Sequence, residues 1–383
     1  MTGDAARRRA ASPVHDVPGP DVPGKETPSV ITPRLLSEHR TGDAALLSRG
    51  RAALDFSASV PRLLVRADEE LRVHDLPAEG GPVPPPVAVF AGAGTMPFAS
   101  PVAHDLSHAV LYGTGAYRIV DRSGALVREL PMAEHGGTPV TSAVWSRSAR
   151  GEPQVWLAVP LDPSLDRTVS PDQGVCLLRL DAQGRPLDRF AVPLGDGNPG
   201  VAPIIGDDGR LVAVSALGSL QPVTYLAADE HRLTPLPGHH RSPEHKPVRS
   251  RFVTVGKDDG SADFDLRVHD ATTGAAETVV TLADLLDSEP DTDGLHLAPY
   301  ISWSTGGRLD DDSLVVVVED GDEDDWAAPD ALPYSHWLVT GGQSRGRIVY
   351  PAPHSASHPG SARLPGDGTW FTADQQALYR WSR

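Results

Sequence analysis

Seven times between Arg62 and Ser382 the chain repeats one pattern: a short apolar run, a turn, and a second apolar run. The pairs are RLLVRADEELRVHDL (62–76), AVLYGTGAYRIVD (109–121), VWLAVPL with VCLLRLD (155–181), RLVAVSALGSLQPVTYL (210–226), RFVTVGKDDGSADFDLRVHD (251–270), SLVVVVED with SHWLVTGG (313–342) and TWFTADQQALYRWS (369–382). The runs are rich in Val, Leu, Tyr and Thr and are bounded by Gly, Pro, Asp and Ser, the composition of strands and turns. Glycine and proline number 37 each and fall between the runs, which places them in turns rather than in low-complexity sequence. No long amphipathic helix is expected; TLADLL (281–286) suffices for a turn or two.

Most pairs carry a further run on each side. One precedes the pair and starts at a proline: Pro101, Pro139, Pro199, Pro247, Pro299 and Pro359. Proline suits the first residue of a strand, where no ladder donor is lost. The other follows the pair: PVAVFAG, GALVRELP, DRFAVPL, RLTPLPG, AETVVTLA and GRIVYPA. Each unit therefore reads as four antiparallel strands, a to d. A lone sheet of this kind leaves both faces uncovered, and radial stacking of such units covers them. The expected fold is all-β, a seven-bladed β-propeller over residues 30–383, behind a disordered tail at 1–29. The last unit ends at its strand c. The N-terminal runs SVITPRLL and RAALDFSAS are expected to supply the missing strand of the seventh blade and the first strand of the first, closing the ring.

The strand rhythm resembles the β-propeller superfamily over about residues 30–383. The hairpin DGTWFTADQQALYRW is similar to single blades of virginiamycin-B-lyase-like propellers. The resemblance implies the fold; confined to one blade, it brings no activity with it. No WD dipeptide, kelch double glycine or Asp-box recurs, and a fold alone does not choose a function.

The formal net charge is −17, with no basic stripe interleaved with aromatics, so nucleic acid is not an expected partner. No apolar run is long enough to span a bilayer, and Arg7, Arg8 and Arg9 are not followed by the apolar stretch of a secretory signal. The expectation is a cytoplasmic monomer. The single cysteine, Cys176, reads as a buried, inert thiol. Trp145, Trp156, Trp303, Trp337, Trp370 and Trp381 fall in strands and read as packing between blades.

In a propeller the b–c and d–a connections share one face and the a–b and c–d turns the other. The long connections (162–174 and 319–335 between b and c; 91–100, 235–246, 283–298 and 350–358 between d and a) load the first face, and the opposite turns are short. Long loops on a rigid scaffold are where binding sites sit. The first expectation is a non-enzymatic propeller binding a protein or peptide partner on the long-loop face. Trp326 in the acidic run EDGDEDDW is a contact for that partner, and Arg249 and Arg251 would grip an anion, facing one way if their run is a strand. The alternative is a lyase or hydrolase with a histidine-lined site at the channel mouth, with or without a divalent metal, acting on a small polar or sugar-like substrate. His104 and His135 would then be catalytic, and His239, His240, His245, His296, His354 and His358 candidate ligands, since neutral imidazole binds zinc, manganese or iron. Asp105 would not orient the His104 ring, because neighbours on a strand point to opposite faces. The acidic run and Asp310–Asp312 lack the spaced pattern of a calcium loop and read as solvated charge.

Overall fold

In the second strand of the third sheet, Val155 and Leu157 pack to one side, and Trp156 and Ala158 to the other. That two-residue alternation is the key to the architecture, because both sides are apolar. The computed structural model describes residues 29–40, 52–67, 69–92, 101–113, 115–132, 142–160, 174–193, 201–216, 222–229, 231–243, 246–257, 265–286, 299–319, 334–352, 362–374 and 377–383. They form seven small sheets. Blade 1 runs Ala52–Asp55, Arg62–Ala67, Glu70–Asp75 and Ala88–Ala91 from inside outward. Blade 3 is Ala143–Arg147, Pro153–Pro160, Gly174–Asp181 and Pro186–Pro193, and blade 4 is Val201–Ile205, Leu211–Ala216, Val223–Asp229 and Arg232–Pro235. Blade 5 is His239–Arg241, Arg251–Lys257, Asp265–Asp270 and Ala276–Thr281; blade 6 is Tyr300–Arg308, Ser313–Glu319, Tyr334–Thr340 and Gln343–Ile348. In blade 2 (His108–Gly113, Ala116–Asp121, Leu126–Pro131) and blade 7 (Thr369–Ala373, Ala377–Ser382) strand a shrinks to single bridges, Val102 to Ala109 and Arg363 to Phe371.

The order of the sheets around the ring follows from seven apolar clusters, each shared by two blades. Leu64, Phe90 and Leu111 join blades 1 and 2; Tyr117, Trp145 and Leu157 join 2 and 3; Trp156, Val214 and Tyr225 join 3 and 4. Ile204, Leu226 and Phe252 join 4 and 5; Val255, Val316 and Trp337 join 5 and 6; Val317, Trp370 and Trp381 join 6 and 7. The last cluster, Phe371 and Leu378 with Leu63 and Val65, joins blade 7 back to blade 1. The fold is a seven-bladed β-propeller. Fully burying one Val or Leu contributes roughly 1.5–3 kcal/mol, so each of these interfaces holds the ring strongly.

Closure comes from the N-terminal segment. Arg34–Arg40 is the fourth strand of blade 7, antiparallel to Ala377–Ser382, with Leu35 opposite Trp381 and His39 opposite Leu378. The run SVITPRLL divides at Pro33. Val30–Ile31, ahead of it, adds a parallel edge to blade 6 against Arg347 and Ile348, and RAALDFSAS starts blade 1 as expected. Gly346 makes that edge possible, since a Cβ there would collide with the Ser29 carbonyl oxygen. The short helix Leu282–Leu286 tucks Leu282 and Leu285 between blades 5 and 6. Among the described residues no helix is long and apolar enough to cross a membrane. Cys176 is buried, and Trp145, Trp156, Trp337, Trp370 and Trp381 all pack between blades.

One strand is not where the sequence put it. The run beginning at Pro247 is a turn, with Arg249 and Ser250 at φ of 46° and 61°. Strand a of blade 5 is His239–Arg241, pairing with Val255–Lys257. Gly256 lets it approach, since a Cβ there would run into the His239 carbonyl oxygen.

A chain starting at residue 41 would lack the fourth strand of blade 7 and strip one side from Trp381 and Leu378. It is expected to lose its single sharp unfolding transition, followed by tryptophan fluorescence against urea. A transition with an unchanged midpoint would show that Arg34–Arg40 does not hold the ring.

Candidate functional site

Strand a of each blade ends at the a–b turn, so the a–b and c–d turns of all blades gather on one end of the ring. The described turns there are short and are set by side chains. Asp105 accepts from the Ser107 amide and hydroxyl at 3.0 and 2.6 Å. Asp208 accepts from the Arg210 amide at 2.9 Å, and Asp310 accepts from the amides of Asp312 and Ser313 at 3.0 and 2.9 Å. Short acidic side chains that bond the backbone two residues on hold a turn in one shape. The Asp310–Asp312 run is used in this way rather than left as solvated charge, and it also pairs with Arg383 (2.6 Å) and Arg249.

Between the turns of blades 3, 4 and 5 lies a cleft of about 450 Å³. Its floor is apolar, with Trp156, Leu211 and Ala227; its walls carry Arg147, Arg210 and Arg249 beside Asp207, Asp208 and Asp229. Trp156 is fixed by a hydrogen bond from its indole N–H to Ser146 Oγ (3.0 Å) and lies under the Arg179 guanidinium, 5.6 Å from the ring centre. A smaller cleft of about 150 Å³ lies beside it, lined by Ser57, His104 and Trp145. Arg147 borders both. Gly209 gives the Arg147 stem its bed, since a Cβ there would stand 3.1 Å from Arg147 Cδ.

His104 lies in the a–b turn of blade 2, on this end of the ring and not at the opening of strand a. The short strand bridges only at Val102, and the chain turns immediately, with the Leu106 amide donating to the Ala103 carbonyl. Its Nδ1 is 2.6 Å from Arg147 Nη2, and its carbonyl accepts from Arg62 Nη1 at 3.0 Å. Burial, then Arg147 and Arg62, push the ring pKa down, with Asp105 and Asp55 opposing. Asp105 bonds Ser107, and Arg147 is what holds the His104 ring. Arg249 and Arg251 do not share a strand face. Arg249 is in the turn, paired with Asp311, and Arg251 opens strand b, 3.3 Å from Glu277. The positive φ at Arg249 and Ser250 breaks the alternation on which the expectation rested.

His239 and His240 lie on strand a of blade 5 rather than in a loop. His240 is buried, its Nδ1 3.7 Å from Asp265, which is itself paired with Arg267 at 2.7 Å. His135, His245, His296, His354, His358 and Trp326 lie outside the described residues, as does most of the long-connection face. Among the described residues no group of three His, Cys, Asp or Glu is disposed to hold a metal ion. Sequence reasoning passes over Arg147, Asp207 and Asp208. Their local signs are a short acidic turn, DDG, and an arginine closing a strand, and a criterion of loop length ignores both.

The inner strands of blades 5 and 7 bring two more cations toward the axis. Burial, and then Arg363, push Arg241 down to about 10, while Glu319 opposes. Glu319 accepts from the Tyr300 hydroxyl at 2.5 Å and from Ser302. Arg241 Nε is buried without a hydrogen-bond partner among the described residues.

No family model matches the chain, and no curated protein matches it. Among solved structures it is similar to TolB from Acinetobacter baumannii (12% identity over 73% of this chain and 62% of that one, TM-score 0.32). It is also similar to a prolyl endopeptidase (12% identity, 90% of this chain and 50% of that one, TM-score 0.49). A third is the β-propeller domain of the Trilobed protease from Pyrococcus furiosus, described as having an open velcro topology (8% identity, 91% and 95%, TM-score 0.44). The chain thus spans less than two thirds of the first two. At such identities these likenesses add nothing about activity, and the fold assignment rests on the sheets themselves.

Two outcomes follow from the buried groups. The His269 ring donates or accepts at Thr254 Oγ1 (2.8 Å), stacks on Phe252, and is pushed by burial down to about 4 from 6.5. Folded His269 is neutral where the unfolded chain binds a proton, so stability falls as pH drops from about 6.5 toward 4. In His269→Gln that acid-side loss should shrink by about 3 kcal/mol, from urea unfolding across the range; an unchanged slope would contradict it. Arg241→Met removes a poorly compensated buried charge and should raise stability by about 1–3 kcal/mol in the same assay. A drop would show that Arg241 is satisfied where it sits.

Proposed function

We propose that this propeller is a binding module that takes a segment of a partner protein across the short-turn end of the ring, in the cleft between blades 3, 4 and 5. The observation that carries the reading is the lining of that cleft: an apolar floor at Trp156 and Leu211 with both arginine and aspartate in the walls. An apolar floor supplies affinity, and charges of both signs at fixed positions supply selection among sequences. A polypeptide is the ligand that offers apolar, cationic and anionic groups at a regular spacing. The blade 4 turn that carries Asp207, Asp208 and Arg210 is tied by Asp208, which accepts from the Arg210 amide, so little ordering is lost there on binding.

Loop length in the sequence favours the long-connection rim for such a partner. The cleft lies at the opposite end, where the wall charges have defined partners and positions. The overall charge of −17 favours partners that are basic or neutral on the whole, and Asp207 and Asp229 in the walls suit basic side chains.

A displayed library of random peptides, selected on the full chain, tests this. Peptides should be recovered whose binding drops at least about tenfold, or about 1.4 kcal/mol, in Arg249→Glu and in Asp207→Lys, with folding checked by circular dichroism. Selected peptides that bind both variants as well as the native chain would refute the cleft as the binding surface.

A further inference from the structure

Arg147 differs from the cations around it. Arg62 has Asp75 at 3.2 Å, Arg210 has Asp208 at 2.5 Å, Lys246 has Asp207 at 3.3 Å, and Arg249 is paired with Asp311. Among the described residues Arg147 has no carboxylate partner. Its Nη2 instead meets the His104 ring, at 2.6 Å from Nδ1 and the longer 3.4 Å from Nε2. A guanidinium is always protonated and can only donate, so Nδ1 accepts and the ring is neutral, with its proton on Nε2. A single neutral nitrogen is a poor match for a planar fork of donors, which suits the two oxygens of a carboxylate. The fork stands between the two clefts and is open to both.

We propose that Arg147 and His104 form the seat for one carboxylate of the bound polypeptide. The inference rests on the cleft being the peptide site and names the group that anchors there. When the carboxylate takes Arg147 Nη2, His104 Nδ1 loses its donor and its lone pair is freed. That nitrogen then takes up a proton from solvent and becomes a second donor to the same carboxylate. No covalent bond to carbon changes, and one proton is gained. The seat carries one positive charge when empty (guanidinium) and one when filled (guanidinium and imidazolium against carboxylate).

The groups facing His104 favour this coupling. Burial, and then Arg147 from blade 3 and Arg62 from blade 1, keep the empty ring neutral, and Asp105 and Asp55 are the nearby carboxylates that oppose them. A bound carboxylate joins the second pair. The filled site therefore holds its proton more tightly than the empty one, and affinity rises as pH falls until the empty ring is protonated too.

The test uses the full chain, with the His104 ring resonances followed by NMR. Three probes are titrated at about pH 7.5 and about pH 5.5: sodium acetate, an acetylated glycine peptide with a free C-terminus, and an amidated glycine peptide with one internal glutamate. Acetate should shift the His104 resonances and raise the ring's apparent pKa. Affinity should be about tenfold higher at the lower pH, the effect of one unit of displaced pKa. Arg147→Gln should abolish the response. His104→Gln should retain binding and lose its pH dependence. The two peptides decide whether a C-terminus or a side chain supplies the carboxylate. Acetate that leaves the His104 resonances unmoved, or moves them equally in Arg147→Gln, overturns the seat. If selected peptides bind in the cleft with a flat pH profile, the cleft stands and the seat falls; if acetate responds as stated but no peptide binds, the seat stands and the peptide reading falls.

Discussion

Each blade presents two apolar faces and can cover neither alone. Alternate residues of the central strands leave to opposite neighbours, as Leu314 and Val316 do toward blade 5 and Val315 and Val317 toward blade 7. A sheet of this kind is stable only between two others, and a row of such sheets is stable at its ends only when the ends meet. The contact of Phe371 and Leu378 with Leu63 and Val65 is that meeting, and Arg34–Arg40 is the strand that lets blade 7 reach full width. The remaining geometry, including the placing of every turn, depends on this closure.

Closure also explains how residues far apart in sequence form a site. His104 and Asp208 lie in the a–b turns of blades 2 and 4, Arg147 closes the strand that enters the turn of blade 3, and only the ring brings these three places side by side. Asp105 and Asp208 stiffen the turns of blades 2 and 4, and Ser148 Oγ accepts from the Arg150 and Glu152 amides in that of blade 3, so the charges are held without long loops. The inner strands follow the same logic less comfortably: Arg241 and Arg363 approach the axis from blades 5 and 7, where burial works against both charges.

Much of the architecture was legible. The seven b–c pairs, the d runs and the proline-led a runs of blades 4 and 6 lie where their residues suggested, because strand periodicity and turn composition are local properties. Blade 5 shows where this stops. His-His-Arg has no strand signature, yet Gly256 opposite it leaves room for a backbone to pair. The misplacement carried Arg249 and Arg251 with it, since their shared facing assumed a strand that is a turn. His104 moved to the other end of the ring for a related reason: strand a of blade 2 is a single bridge, so the chain reverses sooner than its composition implies. Arg147 was passed over because its one local sign, an arginine closing a strand, does not set it apart; its importance comes from neighbours contributed by blades 2 and 4.

The amino-acid sequence by itself determined how many sheets form, which residues of each strand face a neighbouring blade, and where most turns fall. Those features depend on residues within a few positions of one another. Tertiary structure alone decided which end of the ring gathers Arg147, which has no carboxylate partner among the described residues, the His104 imidazole and an apolar floor. That outcome depends on the angle through which each blade turns to meet the next and on the length of each inner strand, neither of which is set by residues adjacent in the chain.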